Sequence, residues 1–541
     1  MAWPDLITGL TLAGLVLPEA VAYAGIAGVP PLSGLLSAMA GLVSYALLGT
    51  SRFAVVAATS SSAAVLAAAL HSLALPPGEH ALAQSAAMVL MAGLLFLLCS
   101  LLRLGRMAQF IARPVVRGFA LGLAVVITVR QIVKACGIHT ASTALGPMLV
   151  ELLRRHAEWN RPSLMVGAAA LLLLALLHRW PRLPATLMVI ALGIFAVPLL
   201  GPAGAGIAVV GPIELAGLHP RLPDLSPDEW FRSAELSVAL MLILFAESYS
   251  SVRACALRHG DTVNVNRELL AFGVANMAAG IFQGVPVGAG YSATSANESL
   301  RARSRLAGFM AAVCIGVALW LLLPWVARIP EAILAAIVIH AMRHAASMEP
   351  LRPYLVWKRD RATVVAAIAA VLALGVLDGL LVAISASLAL LIRDLTQPRV
   401  SVLGRLDDGH DFVSVALHPS VQVLPDILIL RPDEPLFFAN VEAVLEHAAA
   451  KLAATPQARA LVLSLEESPD LDGTAIEVLG QFAAQVTRQG CVLRLARLKD
   501  PVVAVLTVAA LPGLTGEALS GASVDAVVQR LLAGQSPGKL R

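Results

Sequence analysis

The sequence predicts an α-helical membrane protein of fourteen spans, arranged as two inverted repeats of seven, followed by a small cytoplasmic α/β domain. Three observations predict it. Apolar runs of membrane-crossing or near-crossing length follow one another from about residue 6 to 394, positive charge collects in alternate loops, and the composition changes after Arg393. Hydrophobic residues make up 58% of the chain and charged residues 14%, against roughly a quarter charged in soluble proteins. A mean hydropathy of +0.80 over 541 residues is more apolar surface than a globular core can hide.

The spans lie near 6–27, 33–49, 54–70, 86–103, 114–134, 163–178, 184–210, 235–256, 267–283, 288–300, 305–326, 330–346, 362–376 and 378–393, several of them short for a full crossing. With the N-terminus inside, loops after even-numbered spans are cytoplasmic and should be basic. They hold Arg52; Arg103, Arg106 and Arg113; Arg179 and Arg182; Arg253 and Arg258; Arg301, Arg303 and Arg305; and Arg343, Arg352, Lys358, Arg359 and Arg361. Arg393 follows the last span, and loops after spans 1, 3, 9 and 13 hold no Lys or Arg. Arg154, Arg155 and Arg161 after span 5, and Arg221 and Arg232 before span 8, run against the pattern. The expectation is a plasma-membrane protein with both termini cytoplasmic.

Beyond a transmembrane domain at 1–395 and a linker at 396–408, residues 409–541 alternate β-type and helical stretches. These are Ile427–Arg431, Val441–Leu452, Ala460–Leu465, Thr474–Gln489 and Val492–Leu495, the spacing of a small α/β domain. Other classes are disfavoured. A net charge of +4, with no basic run interleaved with aromatics, argues against a nucleic-acid partner. Cys99, Cys136, Cys255, Cys314 and Cys491 are scattered without CxxC or metal-ligand spacing, so they and His340 are expected to pack, and no cofactor is implied. No nucleophile–base constellation points to an enzyme. The N-terminus lacks the features of a signal peptide, so Met1 is expected to begin the mature protein.

Seven plus seven places spans 1 and 8, and 3 and 10, in equivalence. Span 1 carries Glu19 after Pro18, and span 8 carries Glu247. Span 3 (Val55 to Ala63) and span 10 (Gly288 to Thr294) share a polar, small-residue centre. Short or interrupted helices in matching positions mark the binding site of inverted-repeat transporters. A half-helix starting at mid-membrane presents unpaired N–H groups and the positive end of its dipole, which suits an anion. Packing is the competing use of such small residues.

These residues carry a family resemblance. Leu17-Pro18-Glu19-Ala20-Val21-Ala22-Tyr23-Ala24, Gly28-Val29-Pro30-Pro31, Gly34-Leu35 and Gly49-Thr50-Ser51-Arg52 resemble the first spans of the sulfate permease (SulP) anion transporters. Asn266-Arg267-Glu268-Leu269, Gly273-Val274-Ala275-Asn276, Asn297-Glu298 and Leu306-Ala307-Gly308 continue the match. In the tail, Pro435-Leu436-Phe437-Phe438-Ala439-Asn440 and Leu471-Asp472-Gly473-Thr474-Ala475 resemble the family's STAS domain. The resemblance implies a mobile core of spans 1–4 and 8–11, and a gate of spans 5–7 and 12–14 that also forms a homodimer within the lipid bilayer. It implies an elevator-like transport movement, and an anion site lined by Glu19, Tyr23, Thr59, Ser60, Gly290, Tyr291, Ser292 and Ala293. Three positions depart from the family: Glu19 stands where Gln is usual, Ala57-Ala58 replace a Gly-Pro pair, and Ala293 replaces a common Arg.

A mid-membrane carboxylate is expensive when ionised and suggests function. A protonated Glu19 beside an incoming anion avoids repulsion and carries a proton with it, so proton–anion symport through Glu19 or Glu247 is the expectation. Ser251, one turn beyond Glu247 on the same helix face, offers the alternative of Na⁺ coupling. A passive exchanger or channel of the same fold, and a carrier of uracil-like neutral substrates, are the other readings; the last would lack the STAS-like tail. Sulfate, bicarbonate and dicarboxylates all suit such a site. Asp378 is expected in a loop and Thr474 at a helix cap. Gly473 occupies the position at which some STAS-like domains carry a phosphorylated serine.

Overall fold

In a computed structural model the chain forms two compact units, Met1–Leu388 and Ala389–Arg541. The structure describes residues 2–534 apart from 74–77, 106–112, 139–144, 178, 181–184, 201–205, 212–219, 358–359 and 408. Arg106, Arg182, Lys358 and Arg359 of the charge pattern lie outside the described residues.

The first repeat holds α1 (Ala2–Ala27), α2 (Pro31–Leu48), strand β1 (Val56–Ala58) leading into α3 (Ser60–Ser72), α4 (Glu79–Leu101), α5 (Arg113–Ala135), α6 (Leu145–Arg154), α7 (Arg161–Leu177) and α8 (Ala185–Leu199). The second holds α9 (Pro227–His259), α10 (Val265–Ile281), strand β2 (Val287–Ala289) leading into α11 (Tyr291–Ser299), α12 (Leu306–Val326), α13 (Glu331–Ala345), α14 (Arg352–Trp357), α15 (Arg361–Leu374) and α16 (Val376–Thr396). By length and composition α1, α2, α4, α5, α9, α12 and α16 can each cross a membrane. Only 22% of the apolar window of α12 and 28% of that of α16 is buried. Apolar helices with so much exposed surface belong in lipid.

Local chemistry sets the helix ends. Pro227 stands in the first turn of α9 behind a Ser226–Glu229 capping box, and the helix closes on Gly260 at φ 68°, the left-handed conformation that glycine adopts without strain. Pro18 inside α1 lacks the N–H that would reach the Gly14 carbonyl, which loosens the helix just before Glu19. Four readings of the sequence change. α6 was not among the expected spans, because its polar face gives it the pattern of a surface helix. The stretch 184–210 forms a helix only as far as Leu199. The stretches 54–70 and 288–300 are each a strand followed by a helix rather than one span. Asp378, expected in a loop, stands exposed in the first turn of α16, where a carboxylate favours the helix dipole.

Packing repeats the internal symmetry. α4 packs on α10 as α2 packs on α12, α4 on α9 as α1 on α12, and α5 on α15 as α7 on α13. α4 and α10 meet backbone to backbone: a Cβ on Gly93 would lie 2.7 Å from the Met277 nitrogen and 3.0 Å from the Gly273 carbonyl oxygen. Small residues at such contacts supply the dispersion energy that replaces the hydrophobic effect within lipid.

The second unit is a sheet of β3 (Val400–Arg405), β4 (Phe412–Ser414), β5 (Ile427–Pro432), β6 (Ala460–Ser464) and β7 (Val492–Ala496) in the order β4-β3-β5-β6-β7. β3 is antiparallel to β4 and β5, whereas β5, β6 and β7 are parallel. Alternation divides the strands between two cores. Leu428, Leu430, Leu461 and Leu463 pack with α17 (Val441–Ala453), α18 (Gly473–Arg488) and α19 (Asp500–Ala509); Ile427, Ile429, Ala460 and Val462 pack with α20 (Val524–Gly534). Residues 396–408 are therefore not a free linker, since they supply β3 of this sheet. Asp472, not Thr474, caps α18: its Oδ1 accepts from the Ala475 amide at 2.8 Å and its Oδ2 from the Phe438 amide at 2.7 Å. The carboxylate at the N-cap outcompetes the hydroxyl two residues later because only the cap position can turn back onto the first-turn amides. Asp525 on α20 joins Arg405 of β3 and the mostly exposed His410, each at 2.7 Å. Burial pushes the Asp525 carboxyl up, but the His410 hydrogen bond and the Arg405 charge outweigh it and hold the pKa below its ordinary value.

Two outcomes are expected. Gly93→Leu should separate α4 from α10 and lose the monodisperse peak in size-exclusion chromatography, because overpacking a backbone contact costs about 1–3 kcal/mol or more. Because the Asp525 pKa is depressed on folding, its contribution is full above the ordinary carboxylate pKa and is lost as pH falls through the depressed value. Hydrogen exchange of the α20 amides should thus be slower in the native protein than in Asp525→Asn at about pH 6, and the difference should shrink towards about pH 3.

Candidate functional site

Each repeat contributes a three-residue strand that runs directly into a half-helix, and the two strands pair antiparallel with Ala57 opposite Gly288. At the start of α3, Thr59 Oγ1 accepts from the Ser62 amide at 3.1 Å while Ser62 Oγ accepts from the Thr59 amide at 3.2 Å. This reciprocal cap starts a helix without a charged residue. α11 starts at Gly290, which has no side chain to cap it. A Cβ on Gly290 would lie 3.2 Å from Thr59 Cγ2, so the two helix starts abut.

Polar side chains from both repeats hold the strands. Asn276 of α10 donates to the Val287 carbonyl at 2.9 Å and accepts from its amide at 3.0 Å. Ser248 of α9 accepts from the Ala289 amide at 2.8 Å, and Ser37 of α2 from the Val285 amide at 2.6 Å. From α11, Thr294 accepts from the Val55 amide and Asn297 donates to the Phe53 carbonyl. From α3, Ser62 donates to the Pro286 carbonyl at 3.0 Å. Each of these bonds satisfies buried backbone that would otherwise cost several kcal/mol in a membrane.

The first-turn amides are treated differently. Among the described residues, the N–H groups of Ser60 and Ser61 on α3, and of Tyr291, Ser292 and Ala293 on α11, have no hydrogen-bond partner. Two positive helix ends thus meet with their donors unspent.

Both carboxylates reach this place by crossing between repeats. Glu247 of α9 accepts from Ser61 Oγ through Oε2, with Thr59 Oγ1 at 3.3 Å from the same oxygen. Glu19 of α1 accepts from Ser292 Oγ at 3.2 Å. Ser61 and Ser292 each occupy the second position of their half-helix, so the two pairs are related by the internal symmetry. Tyr23, one turn beyond Glu19, is buried and within electrostatic reach of both glutamates. Tyr291 is exposed at the first position of α11. Ala293 is buried. Ser251 is buried too, but Glu247 is engaged by α3 hydroxyls rather than by Ser251.

The structure therefore brings Glu19, Tyr23, Thr59, Ser60, Gly290, Tyr291, Ser292, Ala293 and Glu247 to one locus and leaves Ser251 outside the Glu247 contacts. Sequence reasoning missed Ser61, although its register with Ser292 could have been found by aligning the two half-helices. No group of three or more His, Cys, Asp or Glu side chains suited to a metal occurs among the described residues.

Residues 3–370 match the sulfate permease family and residues 418–515 match the STAS domain. The chain is 30% identical over 516 residues to the probable sulfate transporter Rv1739c of Mycobacterium tuberculosis, covering 95% of this chain and 92% of that one. It is 29% identical over 451 residues to the chloroplastic sulfate transporter 4.1 of Arabidopsis thaliana, covering 81% and 65%. In fold it is similar to murine Slc26a9, an anion transporter solved in the inward-facing state, with a TM-score of 0.90 at 18% identity, covering 98% of this chain and 91% of that one. It is also similar to the transmembrane domain of a cyanobacterium bicarbonate transporter, BicA, with a TM-score of 0.62 at 22% identity, covering 71% and 97%. Two facing half-helices joined by a strand pair, a C-terminal sheet domain and a match over most of the chain lead to one conclusion: the protein is an integral membrane transporter that belongs to the sulfate permease family and ends in a STAS domain.

Proposed function

We propose that the protein is a secondary active carrier of a small oxyanion of the sulfate class, which it moves together with a proton. The observation that carries this reading is the pair of abutting half-helix starts with five unspent amide donors. An oxyanion seated there exchanges water for fixed N–H groups, two helix dipoles and the hydroxyls of Thr59, Ser60 and Ser292. Tyr23 and Tyr291 would close the sides.

Proton coupling follows from the crossed carboxylates. Glu19 shares Ser292 with the anion locus, so an anion and an ionised Glu19 would repel each other across one serine. Protonation of Glu19 removes that repulsion and makes anion entry and proton entry a single event. Glu247 stands in the mirrored place on α3 and is the second candidate carrier. A Na⁺ site would require Glu247 and Ser251 to share an ion, and the α3 hydroxyls already hold the carboxylate.

For the movement, the helices sort into two packed sets. α1–α4 pack with α9–α12, and α5, α7, α13 and α15 pack with one another. Between the sets α1 presents glycine: Gly14 to Leu187 of α8, and Gly25 to Lys134 of α5. A smooth helix face suits the sliding of a core past a gate, an elevator in which the strand pair travels with its anion. The STAS domain would then sit on the cytoplasmic side as a regulatory module.

Two measurements test this. In proteoliposomes with an inwardly directed proton gradient, labelled sulfate should accumulate, and Glu19→Gln should retain exchange while losing the gradient-driven part. Unchanged pH dependence in Glu19→Gln would remove its proton role, and stimulation by Na⁺ alone would favour the other coupling ion. Thr59→Val removes the cap and a ligand hydroxyl together and should raise the uptake KM about tenfold. An unaltered KM would place the anion elsewhere.

A further inference from the structure

We infer that the cleft where α2 ends and α10 and α12 begin is a second anion site, one that takes a phosphate-type oxyanion and is separate from the half-helix pair. The cleft has a volume of about 580 Å³ and is lined by Gly49, Thr50, Thr262, Asn264, Arg267 and Arg305 with Val263. Its wall carries two guanidinium groups and no acidic residue.

Both arginines are held in place. Arg267 Nε donates to the Leu48 carbonyl at 2.9 Å, and Arg305 Nη1 donates to the Gly49 carbonyl. Those bonds satisfy the last carbonyls of α2 and use one donor of the five on each guanidinium. The side chains are thereby fixed with most of their donors still unspent, which favours bidentate recognition of an oxyanion. The adjacent acid is turned away. Glu268 is fully buried and accepts from the Tyr45 hydroxyl and the Thr50 amide, each at 2.8 Å, on the far side of the wall. Even with Glu268 ionised, the two arginines leave the cleft net positive. α10 adds its positive end there, started by Asn264, whose Oδ1 accepts from the Arg267 amide at 3.1 Å. The Thr50 hydroxyl donates to Glu268, so the hydroxyl open to a remaining oxygen is that of Thr262.

The cleft lies at the ends of α2, α10 and α12, and nearby in sequence Arg52 is paired with Asp261 and Arg258 with Glu298, which leaves Arg267 and Arg305 as the charges of its wall. Basic pockets between helix ends at that depth meet either phospholipid headgroups or soluble oxyanions. The chemistry of the two ligands is shared: a compact group with two or more anionic oxygens. None of the cleft residues belongs to the half-helix site, so the inference stands independently of the transport reading.

The test uses the purified full-length protein and two probes, inorganic phosphate and short-chain phosphatidylglycerol below its micellar concentration, with binding followed by native mass spectrometry and thermophoresis. Thr262→Glu places a carboxylate in the exposed mouth of the cleft and leaves both caps of α2 intact; Arg267→Gln removes one guanidinium. Each should weaken binding about tenfold, whereas Thr59→Val in the half-helix site should leave it unchanged. Phosphate binding that phosphatidylglycerol displaces, with both cleft variants impaired, supports a site open to soluble oxyanions. Binding of phosphatidylglycerol alone, lost in both variants, supports a headgroup site. The inference is overturned if neither probe binds, if Thr262→Glu binds as tightly as the native chain, or if Thr59→Val is the variant that loses binding.

Discussion

A lipid bilayer offers no water to an exposed peptide group, and this constraint governs the centre of the protein. Two stretches of chain leave the helical conformation in mid-membrane, and their backbones must find every partner within the protein. The β1–β2 ladder meets most of that need, and Asn276, Ser248, Ser37, Thr294, Asn297 and Ser62 meet the rest. Among the described residues, the first-turn amides of Ser60 and Ser61 on α3, and of Tyr291, Ser292 and Ala293 on α11, are left without a partner. These unpartnered donors are what remains when a broken helix has been made tolerable in lipid.

That arrangement ties the two repeats together at several levels. The strands come one from each repeat, the braces from Ser37, Ser62, Thr294 and Asn297 cross between repeats, and each glutamate reaches the second helical residue of the opposite half-helix. A carrier built in this way has a site that belongs to neither half. The asymmetries within it are informative for the same reason. Thr59 caps α3, whereas Gly290 gives α11 no side-chain cap. Tyr23 lies one turn beyond Glu19, and the matching position beyond Glu247 is Ser251. Symmetric scaffolding with unequal side chains gives one end of the locus a character different from the other.

The helices were legible because lipid imposes a simple pattern. Apolar runs bounded by arginine, proline or glycine mark the long helices, but the span read at 235–256 missed the first two turns of α9, whose start carries the Ser226–Glu229 capping box and Pro227. The half-helices were visible only as oddities, since Val-Ala-Ala and Val-Gly-Ala are too short and too small-sided to announce a strand. Their pairing depends on residues far apart in the chain, and periodicity does not report that. Glu19 and Glu247 stood out because acids are rare in such surroundings; of their partners, Ser292 and Thr59 came from the family resemblance, and Ser61 was missed because a serine at the start of a half-helix has the composition of a packing residue. The tail was read well where strands alternate regularly. β3 was missed because its stretch was read as the link between the two units and its hairpin partner β4 is only three residues long, and Asp472 was passed over for Thr474 although Asp is at least as strong an N-cap as Thr.

The strand pair also bears on how the protein is made. Ala57 and Gly288 lie about 230 residues apart, an interval that a ribosome at 5–20 residues per second covers in roughly 10–45 s. Throughout that time the first repeat is in or near the membrane with one edge of β1 unpaired, beside a half-helix that cannot yet be closed in. No arrangement of the first repeat alone removes the deficit, since Asn297 and Thr294, which brace residues 53–55, are also still unmade. The strand pair and its crossing braces can therefore form only once the second repeat has been made.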